Sequence, residues 1–552
     1  MSSTWKTATT FGAALCAALT VCPTTASAAS DEVPHIVTQN GRHALIVDSA
    51  PFLMLGAQIN NSSAWPATLP KVWPTMAAMH VNTVEVPIGW EQIEPEEGRF
   101  DFSMVDQLLE QARAQNVRLV LLWFGTWKNT NPQYTPRWVK LDNARFPRMR
   151  RADGTLHYAL SPFGKATLAA DSKAFAALMT HLAQVDRQNT VIMMQVENEA
   201  GSYGLARDHS PEANAAFAAP VPEALRKRLG KPAGNWSTLF GRDAELYFHA
   251  WQVASYIDKV AAAGKAVKPL PMYVNAALPG DPFTWQDPNT YASGGPANTV
   301  IDVYKAAAPH LDLVAPDIYN PKHKAYLGFL DAYRRADNPL FVPETGHAPE
   351  YARHFFAALG RGAIGWSPFG IDPLRYRPSL PLASKLDDAA IAPFAANYAL
   401  FAPMARVWAK LAFEGKVWGA SEPEDPADGH RQVIALGKYV ATANFGNGDF
   451  GPTDPKGNAD AKGNAQPTGG VAIAEIGPDE YLVTGYFARV EFALAAPKAA
   501  NLILDRVEEG TYDAQGKWQF QRVWNGDQVD WGLNFTAAPQ VLHVKLATYP
   551  IR

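Results

Sequence analysis

The stretch TVIMMQVENEAGSYG, Thr190–Gly204, decides how the chain is read. TVIMMQV is apolar and β-branched, the composition of a strand buried on both faces, and it ends abruptly in Glu197, Asn198 and Glu199. Acidic and amide groups set directly after a buried strand mark the rim of a parallel α/β sheet, where functional side chains collect at the carboxyl ends of the strands.

Working outward, seven more runs share this texture: PFLMLGA near Pro51, NTVEVPI near Asn82, VRLVLLWF near Val117, LPMYVNA near Leu270, LDLVAPDIY near Leu311, PLFVPE near Pro339 and AIGWSPF near Ala363. Between them lie segments of helical periodicity, among them MVDQLLEQARAQ from Met104, KAFAALMTHLAQV from Lys173, AELYFHAWQVASYIDKVAAAG from Ala244 and EYARHFFAALG from Glu350. Eight strands alternating with helices predict an α/β fold, a (β/α)8 TIM barrel over residues 51–403. An open doubly wound sheet would want a glycine-rich phosphate turn after an early strand. The one GxGxxG match, Gly446 to Gly451, runs into PTDPKGNADAKGNAQPTGG instead of a helix and reads as a surface loop. Beyond Pro403 the runs become short and alternating, as in VIALGKYVATANF and YLVTGYFARVEFAL, which predicts a C-terminal all-β sandwich over 404–552. Residues 29–50 read as a short β lead-in.

Residues 1–28 carry Lys6, an apolar stretch from Phe11 to Val21, and small residues at Ala26 and Ala28 that resemble a signal-peptidase site, so the chain is expected to be exported to the periplasm or beyond the cell. The 2 cysteines, Cys16 and Cys22, both fall in this segment, leaving the mature chain without a thiolate ligand or a disulfide. Past it no apolar run approaches the roughly 20 residues of a membrane span. A net charge of -4 with interspersed signs gives no footprint for nucleic acid or anionic membrane. No HExxH or acidic cluster accompanies His347 and Glu350, and no GxSxG is present, so neither a metal nor a cofactor nor serine hydrolase chemistry is expected.

The fourth run ends in Glu197, Asn198 and Glu199, and the seventh in Glu344. A lone glutamate after a strand is ordinarily a cap or a solvated charge. Two at opposite strands of one barrel are what cleavage of a glycosidic bond requires, one carboxyl protonated to assist the leaving oxygen and the other ionised to attack or stabilise the anomeric carbon. Retention of configuration needs the pair about 5 Å apart, and a charge on Glu344 would raise the pKa of Glu199.

QVENEAGSYG resembles the acid/base signature of the family 35 glycoside hydrolases, clan A β-galactosidases. VPIGWEQIEPEEGRFDF, from Val86 to Phe102, is similar to the segment after strand two of families 35 and 42, and LIVDSAPFLMLGAQINNSS resembles their entry into strand one. The resemblance implies that Glu199 is the general acid/base, Asn198 the ligand of the sugar 2-hydroxyl and Glu344 the nucleophile of a retaining exo-enzyme acting on an oligosaccharide, xyloglucan fragments among the plausible substrates. Where many family 35 enzymes grip galactose with Cys-Ala-Glu, this chain has WFGTWKN, Trp123 to Asn129, a pattern similar to a bacterial branch with its own C-terminal β module.

Other rim residues have two readings each. Tyr319 hydrogen-bonds Glu344 or packs at the barrel mouth. Trp366 floors the sugar pocket or belongs to the core. Trp90, Trp127 and Trp285 shape the leaving-group site or pack. Glu85 and Asn275 bind sugar hydroxyls, or Glu85 is a buried carboxylate paired with an arginine. Trp518 and Trp531 suit a β module that binds glycan or one that braces the barrel. Three rival functions remain: a same-clan enzyme such as a β-glucosidase or mannan-cleaving hydrolase, a transglycosylase, and a carbohydrate-binding barrel without catalysis.

Overall fold

A strand with one face in a barrel interior and the other under helices must be apolar throughout, and the eight runs are. In the computed structural model, which describes residues 32–374, 386–424, 431–445, 467–496 and 500–550, they form β1 (Met54–Gln58), β2 (Thr83–Gly89), β3 (Arg118–Lys128), β4 (Val191–Asn198), β5 (Met272–Ala277), β6 (Leu313–Ile318), β7 (Phe341–Thr345) and β8 (Gly365–Pro368). These strands are parallel and close on themselves through pairing of β8 with β1, Gly365 opposite Met54 and Trp366 opposite Leu55. Every residue of β1, β2 and β4–β8 is buried. The leader with its two cysteines and the Gly446–Gly451 loop lie outside the described residues.

Strand alternation divides the core into two shells. Met54, Val120, Leu122, Tyr273, Leu313, Ala315 and Phe341 fill the barrel interior. The antiparallel lead-in strands Arg42–Val47 and Ala50–Phe52 contribute Leu45, Val47 and Phe52 to that same cluster, so the lead-in joins the barrel core. The alternate residues, Leu55, Val84, Leu121, Val274, Val342 and Trp366 among them, face the helices. Helices Lys165–Val185 and Ala244–Lys265 pack side by side outside β3 to β5, with Gly264 seated on Phe175.

The chain stays helical past the expected boundary at 403. Helix Ala405–Glu414 follows, because ARVWAKLAFE keeps an apolar stripe, and Arg406 donates to the carbonyls of Val47, Ala50 and Pro51. The sandwich starts at Val417–Ser421 and sets a six-stranded sheet against a four-stranded one around Ile434, Ala441, Val471, Val483, Val490 and Leu542. No helix among the described residues is long and apolar enough to cross a membrane.

Barrel and sandwich meet where two glycine backbones touch. A Cβ on Gly360 would stand 1.9 Å from the Gly419 nitrogen, and one on Gly419 would stand 2.1 Å from the Phe356 carbonyl oxygen. Gly360→Ala is therefore expected to lose on the order of 1–3 kcal/mol of stability, the range for overpacking, read as a lower midpoint in thermal or urea unfolding.

Candidate functional site

The site is built where β3 and β4 lose register. Trp123 pairs with Val196 but Lys128 pairs with Asn198, so residues 124–127 bulge out of β3 and deliver Lys128 to the rim beside the end of β4. The bulge is fastened by Glu197, whose carboxyl accepts the amides of Thr126 at 3.1 Å and Trp127 at 2.6 Å. Glu197 faces Asp171 of helix Lys165–Val185, which accepts from Trp123 Nε1 at 2.8 Å and from the Thr126 hydroxyl at 2.6 Å. Burial first, and then the charge of Asp171, push the Glu197 carboxyl well above the ordinary range. Glu197 and Glu199 both hold left-handed backbone, with φ of 64° and 44°. This conformation turns Glu197 toward the helices while Asn198 and Glu199 project into the barrel mouth.

At the mouth the expected residues meet. Glu344, at the end of β7, accepts from Gln58 Nε2 at 3.0 Å, Asn198 Nδ2 at 3.3 Å, Asn275 Nδ2 at 3.3 Å and the Tyr319 hydroxyl at 2.8 Å. Every contact it makes is as an acceptor. Asn275 also accepts the Glu199 amide at 2.9 Å and donates to Asp317 at 2.7 Å, so it organises three acids instead of waiting for a sugar hydroxyl. Lys128 Nζ donates to Asn198 Oδ1 at 2.7 Å and lies 3.7 Å from Glu199. Carboxylate oxygens of Glu199, Asp317 and Glu344 fall within 4.8 Å of one another. Protein donors serve both oxygens of Glu344 and the Oδ2 of Asp317, and the Lys128 ammonium faces Glu199.

The Glu199 carboxyl is pushed up to about 7. Burial is the main cause; Lys128 opposes it, and the Glu344 charge, in the direction expected from sequence, comes third. A cleft of about 450 Å³ opens over Glu199 and Asp317, bordered by Tyr203, Tyr319, Pro279 and Phe329.

Three expectations are corrected. Trp366 is fully buried on the helix side of β8, stacked on Phe394, with Nε1 donating to the Tyr326 hydroxyl at 2.9 Å. Its neighbour Ser367 takes the inward position, so strand alternation excludes Trp366 from the pocket floor. Trp127 is likewise buried behind the bulge, against Tyr256, with Nε1 on the Leu160 carbonyl at 3.1 Å. Glu85 neither reaches the cleft nor meets an arginine among the described residues; it lies inside the barrel with Ser367 and the Tyr273 hydroxyl, 3.4 Å away, and burial pushes its carboxyl well above the ordinary range. Trp90 is buried, its indole donating to Glu94, whereas Trp285 is exposed in a neighbouring cleft with Tyr247 and Tyr291. Asp317, Lys128 and Gln58 escaped the sequence reading. Gln58 and Lys128 close their strands and Asp317 stands one residue from the end of β6, so the rule that singled out Glu199 and Glu344 was the signal for them as well.

Residues 61–247, which contain Glu199 but stop short of Glu344, match the family 42 glycoside hydrolase profile described as Beta-galactosidase, and residues 394–536 match a domain of unknown function, DUF5597. A β-galactosidase of Xanthomonas manihotis is 27% identical over 217 residues, 36% of this chain and 31% of that protein, so the match spans about a third of the relative's length. Among solved structures, β-galactosidases of Marinomonas ef1 (TM-score 0.48, 14% identity, 65% of this chain and 61% of that one) and Rahnella sp. R3 (0.47, 17%, 66% and 61%) are similar. So is an exo-β-1,4-mannosidase of an Opitutaceae bacterium (0.40, 16%, 68% and 63%).

Glu197 is the acceptor of the Trp127 amide and shares the Thr126 amide with Asp171, 3.2 Å away, so Glu197→Ala should strand the first and weaken the hold on the second. Destabilisation of at least about 1–3 kcal/mol is expected, measured by urea unfolding, together with loss of the Lys128 to Asn198 contact.

Proposed function

We propose that the chain is an exported retaining exo-glycosidase of the family 35 type, which removes terminal β-D-galactosyl units from oligosaccharides such as xyloglucan fragments. The observation that carries this reading is the approach of two acids from β4 and β7, their oxygens within 4.8 Å, the separation of a double displacement and too short to admit the water of an inverting enzyme between them. Glu344, held by four donors, attacks the anomeric carbon. Glu199 gives its proton to the glycosidic oxygen as the bond to the leaving group breaks. In the second step Glu199, now anionic, takes a proton from water, whose oxygen displaces Glu344 with a second inversion. The Asn198 amide, fixed by Lys128 and Glu344, is placed for the sugar 2-hydroxyl. The leader of residues 1–28 supports export. The family 42 profile and the Xanthomonas relative support galactose.

A panel of nitrophenyl β-glycosides tests the reading: hydrolysis of the galactoside fastest, with Glu344→Ala nearly inactive and rescued by azide to an α-glycosyl azide. Glu199→Ala should slow substrates with poor leaving groups by about 10²–10⁴-fold and activated ones less, its azide product being the β-glycosyl azide. Wild-type rates in either variant, or no turnover of any β-glycoside, would overturn the proposal.

With Glu199 at about 7, the acid form prevails below that pH. The rate kcat/KM is expected to fall as pH rises through about 7, and Lys128→Ala, by removing the nearest cation, should move that descending limb to higher pH.

A further inference from the structure

Asp317 is the penultimate residue of β6 and is 2% exposed. Its Oδ2 accepts from Asn275 Nδ2 at 2.7 Å, while its Oδ1 is buried with no donor directed at it. The carboxyl as a whole stands beside two other acids. Carboxylate oxygens of Glu199 from β4 and Glu344 from β7 lie within 4.8 Å of those of Asp317. The remaining titratable groups that act on the site are the Lys128 ammonium on β3 and the hydroxyls of Tyr273, Tyr319, Tyr333 and Tyr203. Lys128 is committed to Asn198 and Glu199. Three anions facing one ammonium, at separations where like charges repel by about 3–4 kcal/mol at the effective dielectric of a protein site, are disfavoured against an arrangement that retains protons.

We propose that Asp317 is a third acid of the site, which keeps its proton throughout the reaction and donates it from Oδ1 in a hydrogen bond to the carboxyl of Glu199, setting the strength of the acid/base without itself reacting with the sugar. The arrangement satisfies the orphaned oxygen and deepens the double-displacement reading, on which it rests. Burial, then Glu344 and then Glu199, push the Asp317 carboxyl well above its ordinary range, with Lys128 opposing; the same hydrogen bond acts to lower Glu199. In the first step Glu199 loses its proton to the leaving oxygen, and the Asp317 O–H stabilises the carboxylate left behind. In the second, Glu199 recovers a proton from water. The Asp317 proton is neither consumed nor released. Asp317 thus acts through Glu199 as a positioning and tuning group.

Asp317→Asn separates this from the alternative of an ionised Asp317. Asparagine keeps a donor toward Glu199 and an acceptor for Asn275, so the descending limb of the kcat/KM profile on nitrophenyl galactoside should stay where it is in the wild type. Asp317→Ala removes the donor, and the limb should move up by about one pH unit, with the larger loss in kcat on poor leaving groups. In parallel, the infrared difference between wild type and Asp317→Asn at neutral pH should show one lost C=O band of a protonated carboxyl. An Asp317→Asn limb displaced downward by about one unit, as expected from deletion of a negative charge, or a difference spectrum lacking the acid band, would overturn the proposal. The infrared result needs no turnover, so it stands even if the glycosidase assay fails, and the two failures are told apart.

Discussion

Three carboxyl groups share a barrel mouth too dry for three negative charges, and much of the architecture around Glu199, Asp317 and Glu344 is a response to that crowding. The responses differ by residue. Glu344 receives four hydrogen bonds from Gln58, Asn198, Asn275 and Tyr319, drawn from β1, β4, β5 and the end of β6. Glu199 has one ammonium nearby and a backbone anchor to Asn275. Asp317 has a single donor. This inequality gives three groups of the same chemistry different surroundings: Glu344 is held by four donors, and Asp317 by one.

A second pair of acids, one layer further out, holds the first set in place. Glu197 and Asp171 sit between β4 and the helix layer, where burial and the neighbouring Asp171 push the Glu197 carboxyl well above the ordinary range while it closes the bulge at residues 124–127. Gly125 is required there, since a Cβ would fall 2.5 Å from Trp123 Nε1 and 2.7 Å from Glu197 Oε1. The bulge in turn determines that Lys128 stands opposite Asn198. Without it, the regular pairing of β3 would carry Lys128 beyond the rim, and the only ammonium near Glu199 among the described residues would be displaced.

The barrel was legible because each of its strands is buried on two faces and so reads as an uninterrupted apolar run, a signal that survives without knowing its partners. Glu199 and Glu344 were legible because they follow directly on such runs. The aromatic residues were not, and the reason is parity. In GWSP the tryptophan and the serine occupy alternate faces, and nothing in four residues says which is inward; the structure gives the interior to Ser367 and the helix side to Trp366. Lys128 was hidden by the bulge, which depends on a buried side chain 69 residues later in the sequence, Glu197. Helix Ala405–Glu414 was hidden by its position after Pro403, where a change in texture drew attention to the strands that follow.

The same reasoning bears on the C-terminal module. Trp518, half-buried, stacks on His543 with ring centres 3.6 Å apart and meets Tyr512 edge-on, so one of the two aromatics considered for glycan binding has one ring face taken by protein. The module meets the barrel at helix His354–Leu359, which follows β7 and precedes β8. There Gly360 meets Gly419, Phe356 meets Tyr486, and Arg353 pairs with Glu424 at 3.1 Å while donating to the Pro321 carbonyl, two residues past Tyr319. These contacts link the sandwich to the segments on either side of the Tyr319 to Glu344 hydrogen bond. A brace at that point limits how far β6 and β7 can part, and the 2.8 Å bond that aims the Glu344 carboxyl depends on their not parting.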